Sequence, residues 1–239
     1  MIETATLLDI FRFIIGVLIL SYASYTDIKT RTASGLLWII MSIIGAILLL
    51  IQYFTIGFEN IMVLIFIPIM IGFVYLLFQM RLLFGGADAK AIMALAILLP
   101  LQPKIYQIPI WGQSFMPASW TVFVNSLIIF LFIPIFLLIY NLTQRNIKLP
   151  HALLGYKMKI QKAKEKFVWP LEKIQDGKTK LIIRPKESDT KEEYKEFEKQ
   201  GITEIWVTPK IPFMIPLLLG FICTFIFGDI LYTIMNLFI

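Results

Sequence analysis

The sequence contains very little cysteine and histidine. Its 239 residues include one cysteine, Cys223, and one histidine, His151. A disulfide framework within one chain is therefore excluded, as are zinc sites of four cysteines or of two cysteines and two histidines. An H-E-x-x-H metalloprotease site is excluded as well, because it needs two histidines. We expect a function without a metal or other cofactor, and we interpret His151, which follows Pro150, as an exposed or interfacial side chain.

Charge is also scarce, and it is unevenly distributed. Charged residues make up 16% of the chain and hydrophobic residues 58%, with a mean hydropathy of +0.79. These values exclude a soluble globular enzyme, a disordered chain and a fibrous protein. Residues 141–210 hold 16 of the 22 basic and 10 of the 16 acidic residues, so the net charge of +6 belongs to this segment. Beside apolar spans, such a surplus indicates contact with an anionic membrane surface rather than with nucleic acid.

Long apolar runs predict an all-α polytopic membrane protein. A transmembrane helix needs roughly 20 mainly apolar residues to cross the bilayer. Six spans are predicted, near residues 5–26, 34–54, 61–80, 88–100, 119–140 and 212–238. The first carries Asp9 and Arg12 and lacks a basic start, unlike a cleaved signal peptide, so we expect it to stay in the mature protein.

The predicted organisation has three parts: a membrane domain in residues 1–140 with five spans, a cytoplasmic domain in 141–210, and the sixth span in 211–239. The distribution of Lys and Arg sets the orientation. With the N-terminus outside, the short inner loops receive four basic residues, Lys29, Arg31, Arg81 and Lys90, whereas the outer side keeps Lys104. This asymmetry agrees with the positive-inside rule. We therefore predict a multi-pass protein of the plasma membrane with residues 141–210 in the cytoplasm.

The 141–210 segment predicts a small α/β domain. Lysines mixed with apolar residues over 154–169 suit a helix lying along the membrane interface. After Gly177, residues 181–183 are predicted as a strand, 188–199 as a helix with Ser188 near its N-cap, and 204–207 as a second strand. Together these elements form a β-α-β unit inserted before the last span.

Acidic residues in or near spans are costly, so each needs an explanation. Asp9 and Arg12 are three residues apart, on one helix face, and we interpret them as a structural pair. Asp229 is interpreted as a structural polar residue near the outer end of the last span. Asp27 ends the first span and Asp88 starts the fourth, so both lie at the inner interface at the same depth. They are either plain interfacial charges beside Lys29 and Lys90 or a functional pair.

The residues before Asp88 favour the functional interpretation. Gly85-Gly86-Ala87 precedes it, and glycines allow unusual dihedral angles and the close approach of another chain. Two aspartates about 3 Å apart cannot both be ionised, so they share a proton. The ionised carboxylate can then activate water against a peptide carbonyl while the protonated one donates to the oxyanion. This chemistry needs neither metal nor histidine.

Gly85-Gly86-Ala87-Asp88, followed by Ala89-Lys90, resembles the GxGD motif of intramembrane aspartyl proteases of the type IV prepilin peptidase family. Ala87 stands where the motif's name has glycine. Asp27, within Tyr25-Thr26-Asp27-Ile28-Lys29-Thr30-Arg31, matches the family's other catalytic aspartate. Residues 208–213 resemble the segment that opens a late span in this family.

The resemblance implies an endopeptidase with Asp27 and Asp88 as catalytic residues and with Gly85, Gly86 and Ala87 as backbone support. Its substrate would be a protein, a flagellin-like or pilin-like precursor with a short basic leader, and its surroundings would be membrane lipid. Two alternatives remain open: an ion-coupled transporter or channel with Asp27 and Asp88 as cation sites, and a non-catalytic scaffold whose basic segment docks a partner or anionic lipid.

Overall fold

The structure of the chain, a computed structural model, describes residues 2–83, 85–112, 114, 116–175, 178–182 and 190–238. The chain divides into two compact units. The first comprises Met1–Phe130 together with Pro212–Ile239, and the second comprises Leu131–Ile211.

The described elements follow one another in this order. They are α1 (Ile2–Thr30), α2 (Gly35–Thr55), a 3-10 turn (Ile61–Ile65), α3 (Phe66–Gln79), α4 (Gly86–Leu98), α5 (Ala118–Leu131), α6 (Ile133–Thr143), α7 (His151–Leu154), β1 (Tyr156–Lys159), α8 (Ile160–Glu165), β2 (Val168–Pro170), β3 (Glu172–Gln175), β4 (Lys178–Leu181), α9 (Thr190–Lys199), β5 (Glu204–Pro209), α10 (Met214–Ile226) and α11 (Ile230–Asn236).

Within the described residues, four helical segments are long and apolar enough to cross a membrane. They are Glu3–Thr30, Gly35–Thr55, Ile61–Gln79 and Ala118–Thr143. The bent pair α10 and α11 adds a fifth if it counts as one span. A multi-pass membrane protein is thus confirmed, with four of the predicted spans recovered, or five if the bent pair is one span. The predicted number of six is not confirmed, because residues 88–100 contribute only the short helix α4.

The short helix α4 is enclosed by other helices. Its 13 residues extend about 20 Å at 1.5 Å per residue, less than the roughly 30 Å of hydrocarbon. It packs against α2 and α3, and a Cβ added to Gly45 of α2 would lie 2.7 Å from the Leu98 Cα. Because small residues allow such close backbone approach, α4 is fixed by its neighbours.

An ion pair near the start of α1 ties several elements together. Arg12 Nη1 lies 2.8 Å from Asp9 Oδ1, as the sequence predicts for residues on one helix face. Arg12 Nη2 also donates to Gln52 Oε1 at 2.6 Å, and the backbone N–H of Lys104 donates to Asp9 Oδ2 at 2.9 Å. Both charges are buried and paired with each other, which is the condition for tolerating them in a span.

The last predicted span is interrupted between α10 and α11, which are bent by 56°. Backbone groups released at such a break need protein partners when water is absent. Asn125 supplies them: its Nδ2 donates to the Gly228 carbonyl at 2.8 Å and to Thr224 Oγ1 at 3.0 Å. Its Oδ1 accepts from the Ile230 N–H at 3.1 Å. One buried amide therefore bridges both sides of the break.

Other backbone groups at the break form hydrogen bonds with nearby parts of the chain. The N–H groups of Ile110 and Trp111 donate to the carbonyls of Ile226 and Phe227 at 2.9 and 3.0 Å. Asp229 is the N-cap of α11 and accepts from the Tyr232 N–H at 3.0 Å. A structural role for Asp229, as predicted, is thereby confirmed.

The sheet topology of the second unit differs from the predicted β-α-β unit. The strand β5 lies between β1 and β2 in an antiparallel three-stranded sheet, and β4 pairs with β3 in a separate hairpin. The β-α-β prediction is therefore wrong, because β4 and β5, on either side of α9, do not share a sheet. Residues 183 and 188, the predicted strand end and N-cap, lie outside the described residues.

The predicted interfacial helix over 154–169 is also wrong. Exposure alternates along Tyr156–Lys159, which is the period of a strand, and Lys159 pairs with Glu204 of β5. Apart from Leu154 at the end of α7, only Ile160–Glu165 is helical in this stretch. Tertiary pairing with β5, which is remote in sequence, decides the structure of Tyr156–Lys159.

His151 is buried in the second unit, so its predicted exposure is wrong. Only 8% of the His151 side chain is exposed, and its Nε2 lies 3.3 Å from Glu172 Oε1. The same oxygen is 3.0 Å from Lys148 Nζ. Burial lowers the pKa of His151 from its ordinary value near 6.5, and the Lys148 charge acts in the same direction, whereas Glu172 opposes them. The folded unit therefore favours neutral His151.

We expect Asn125→Ala to lower the free energy of unfolding by about 2 kcal/mol, because side-chain hydrogen bonds buried in membranes average roughly 0.6 kcal/mol each and the released groups stay buried. Thermal unfolding in detergent would measure this loss. Asn236→Ala, at an exposed position of α11, is the matched control and should have little effect. Equal losses in both variants would contradict the bridging role of Asn125.

We also expect the stability difference between wild type and His151→Gln to shrink as the pH falls. Since the folded-state pKa of His151 is lowered, its contribution is complete above pH 6.5 and is lost below it, by at most about 1.4 kcal/mol per pH unit. Unfolding temperatures of both proteins at pH 5.5 and 7.5 would test this. A difference that grows in acid would mean that the folded state favours charged His151.

Candidate active site

Asp27 lies in the last turn of α1 and is partly buried. The Arg31 N–H donates to the Asp27 carbonyl at 3.0 Å, which closes the helix. Arg31 itself has φ of 57°, the left-handed conformation in which many helices end. The backbone that carries the Asp27 carboxylate is therefore fixed by an ordinary helix terminus.

Asp88 lies in the first turn of α4, where a carboxylate is favoured by the helix dipole. The N-cap is Gly85, which offers no side-chain acceptor. A Cβ added to Gly85 would overlap the Asp88 carboxylate, with the Asp88 Cγ only 2.7 Å away. The side chain of Asp88 therefore occupies the space that any other residue at position 85 would fill.

The remaining motif residues are less constrained. A Cβ on Gly86 would meet only the Phe78 ring at 3.7 Å, an ordinary contact distance. Ala87 is partly buried and packs against the hydrophobic core of the first unit. Of the three predicted support residues, Gly85 is thus the one whose lack of a side chain the local geometry requires.

The structure brings Asp27 and Asp88 near each other. The charge of Asp27 acts on Asp88 by Coulombic interaction, although within the described part of the chain no hydrogen bond joins the two carboxyl groups. Neither carboxylate forms an ion pair with the lysine beside it among the described residues, and Lys29 Nζ instead lies 4.6 Å from the Tyr25 ring centroid. Asp27 has a cationic neighbour in Arg31, whose charge acts on that carboxylate, and the charge of Asp27 in turn acts on Asp88.

The start of a third helix, α10, also lies beside Asp27, and the sequence analysis did not predict this. The Met214 N–H, in the first turn of α10, acts as a hydrogen-bond donor to Asp27. Ser24 Oγ donates to the Met214 carbonyl at 3.0 Å and so ties α10 to α1. The sequence signal that could have indicated this contact is the 208–213 segment, in which Pro212 precedes the start of α10. Met214 lies far from Asp27 in sequence, so their contact could not be predicted locally.

The site therefore consists of two acids at the meeting point of three helix termini. The end of α1 carries Asp27, the start of α4 carries Asp88, and the start of α10 directs a backbone N–H toward Asp27. Two carboxyl groups that can share a proton are able to act together as general base and general acid. An acid and a base placed together in this way are what the hydrolysis of an amide bond without a metal requires.

Comparison with known families agrees with a peptidase. Residues 14–142, which include both aspartates, match the model of the type IV leader peptidase family. Residues 147–230 match the model described as the archaeal peptidase A24 C-terminus, type II. The chain belongs to the type IV leader peptidase family, whose members are prepilin-type leader peptidases.

Similarity to individual proteins covers nearly the whole chain. A preflagellin peptidase of Methanococcus voltae is 32% identical over 232 residues, which are 91% of this chain and 95% of the relative. A preflagellin peptidase of Methanocaldococcus jannaschii is 30% identical over 234 residues, covering 91% and 94%. A third, of Methanococcus maripaludis, is 28% identical over 234 residues. The predicted family is confirmed.

On the hypothesis that Asp88 is catalytic, we expect Gly85→Ala to lower leader cleavage by at least about tenfold, since a displaced catalytic group commonly costs a factor of that size or more. The added Cβ would push the Asp88 carboxylate from its position. Gly86→Ala is the matched control, and it should cleave at close to the wild-type rate. Rates measured in membranes with a leader-bearing precursor would test the pair, and equal rates in the two variants would contradict the role of Gly85.

Proposed function

We propose that the protein is an aspartyl endopeptidase that removes the short basic leader from flagellin-like or type IV pilin-like precursors at the cytoplasmic face of the plasma membrane. The observation that carries this proposal is the approach of Asp27 and Asp88 from two different helix ends, in a chain of the leader peptidase family. The names of the archaeal relatives support a preflagellin-like substrate.

The position of the pair supports cleavage at one face of the membrane. Asp9, with its partners Arg12 and Lys104, precedes Asp27 by 18 residues of the same helix, a separation of about 27 Å along its axis. The acids of the proposed site share their end of the helices with the basic residues Lys29, Arg31, Arg81 and Lys90. By the positive-inside rule that end faces the cytoplasm, where the leader of an unprocessed precursor lies.

The proposed reaction needs one proton shared by the two aspartates. The ionised carboxylate takes a proton from water as the water oxygen attacks the scissile carbonyl carbon, and the protonated carboxyl donates to the carbonyl oxygen. When the tetrahedral intermediate collapses, the C–N bond breaks and the amine leaves with a proton from the pair. The two groups titrate as a unit, so the same scheme holds whichever aspartate starts as the base.

Substrate binding completes this geometry in the proposal. Proton sharing requires the carboxyl groups to approach to about 3 Å, and no hydrogen bond joins them within the described residues. Catalytic hydrogen bonds often tighten only when substrate is present. The peptide bond therefore enters between Asp27 and Asp88, and the two helix ends close on it.

We expect Asp27→Asn and Asp88→Asn, tested separately, each to lower cleavage of a preflagellin-like precursor in membranes by several orders of magnitude, because either change removes one member of the pair. Asp229→Asn is the matched control. Asparagine is as good an N-cap as aspartate, so α11 keeps its cap and cleavage stays near wild type.

Two results would contradict the proposal. Cleavage near the wild-type rate in either the Asp27 or the Asp88 variant would remove the paired mechanism. Ion flux through wild-type protein that is lost in both variants, with cleavage unchanged, would instead favour the cation-site alternative. Unfolding temperatures of all variants show whether a loss of cleavage reflects chemistry rather than misfolding.

A further inference from the structure

The second unit contains a lysine-rich cleft of about 620 Å³. Four lysines line it: Lys157, Lys159, Lys162 and Lys166. Nothing in the proposed peptide hydrolysis uses this cleft. Since the lysines lie in the segment that holds the net positive charge of the chain, the cleft concentrates this surplus at one place.

Local structure explains why these lysines share one cleft. Lys157 and Lys159 are the two exposed residues of β1, because side chains two apart on a strand point to the same face. Lys162 and Lys166 are four apart along α8 and its C-cap, so they share a helix face. Because α8 directly follows β1, the two pairs of lysines meet.

The positive charge of the cleft is largely uncompensated. One acid, Glu204, lines it, and its Oε2 is 4.0 Å from Lys157 Nζ. In the described part of the chain, Lys159, Lys162 and Lys166 take part in no ion pair. Lys164, which points elsewhere, is by contrast 2.6 Å from Glu198. Like charges gathered without partners repel one another, so this cleft is suited to a bound anion.

The cleft also has a defined depth in the membrane. Leu137 and Tyr140 line it, and both belong to the span Ala118–Thr143, within seven residues of its end. The rings of Tyr140 and Tyr156 meet edge to face with centroids 5.8 Å apart. Tyrosine is enriched at membrane–water interfaces. The cleft therefore opens at the level of the lipid headgroups rather than in bulk water.

From this combination we infer that the cleft binds the headgroup of an anionic phospholipid. Its phosphate accepts hydrogen bonds from the lysine Nζ groups, and the acyl chains run along exposed apolar residues of α6, among them Phe136 and Ile139. A soluble anion would use the lysines but would gain nothing from this apolar side. The inference does not depend on the proposed peptidase activity.

The test is a lipid titration of the full chain in a neutral detergent, followed by native mass spectrometry. Wild type should bind dioleoyl phosphatidylglycerol in preference to dioleoyl phosphatidylcholine. A lysine near an anionic lipid contributes about fivefold in affinity, so Lys159→Gln with Lys162→Gln should weaken phosphatidylglycerol binding by roughly 25-fold. Lys195→Gln with Lys199→Gln removes equal charge from exposed positions of α9 and should leave binding within about twofold of wild type.

Three outcomes would overturn the inference. Equal binding of both lipids would mean that the cleft does not recognise charge. Equal weakening by the two double variants would mean that the attraction is diffuse. Glycerol phosphate that binds as tightly as phosphatidylglycerol, and is lost in the cleft variant alone, would identify a site for soluble phosphates. Leader cleavage measured on the same variants keeps this test separate from that of the peptidase.

Discussion

Two like-charged side chains held near each other at the ends of packed helices are the constraint on which the membrane unit depends. Asp27 and Asp88 repel when both are ionised, so the helices that carry them would separate unless other contacts held them. The burial of α4 between α2 and α3 supplies those contacts. Close van der Waals packing between membrane helices offsets the repulsion, and the charge of Arg31 beside Asp27 reduces it. In the proposed function, this packing keeps the two acids near each other.

Other buried polar groups in the same unit differ from Asp27 and Asp88 in the partners that they have. Asp9 is matched by Arg12 and by a backbone N–H. Asn125 makes three hydrogen bonds across the break of the last span. Each of these groups forms hydrogen bonds or an ion pair with other parts of the protein, as a buried polar group must. Asp27 has the Met214 N–H and the charge of Arg31 beside it, but its own charge also acts on a second acid, Asp88, and in the proposed function these two acids are the reactive pair.

The sequence predicts those features that depend on local pattern. Apolar runs identify the long spans, and the glycines before Asp88 identify the motif. The short helix α4 was predicted as a span because its enclosure by α2 and α3 depends on distant residues. For the same reason the pairing of β1 with β5, the burial of His151 against Glu172 and the contact of Met214 with Asp27 were missed. The lysines at 157, 159, 162, 164 and 166 are spaced by two or three residues, which matches neither a helix nor a strand over the whole stretch, so tertiary pairing decided the outcome.

The start of α4 departs from the capping used elsewhere in the chain, and this departure has a physical reason. Ser34 caps α2 and Asp229 caps α11 through their side chains. The N-cap residue of α4 is Gly85, which has no side chain that could cap the helix. Glycine at an N-cap sacrifices only a few tenths of a kcal/mol relative to the best residues. A serine or aspartate there would place its Cβ in the volume of the Asp88 carboxylate. A slightly weaker helix start is therefore the condition for the position of the Asp88 carboxylate, and in the proposed function this local loss of stability serves the chemistry of the site.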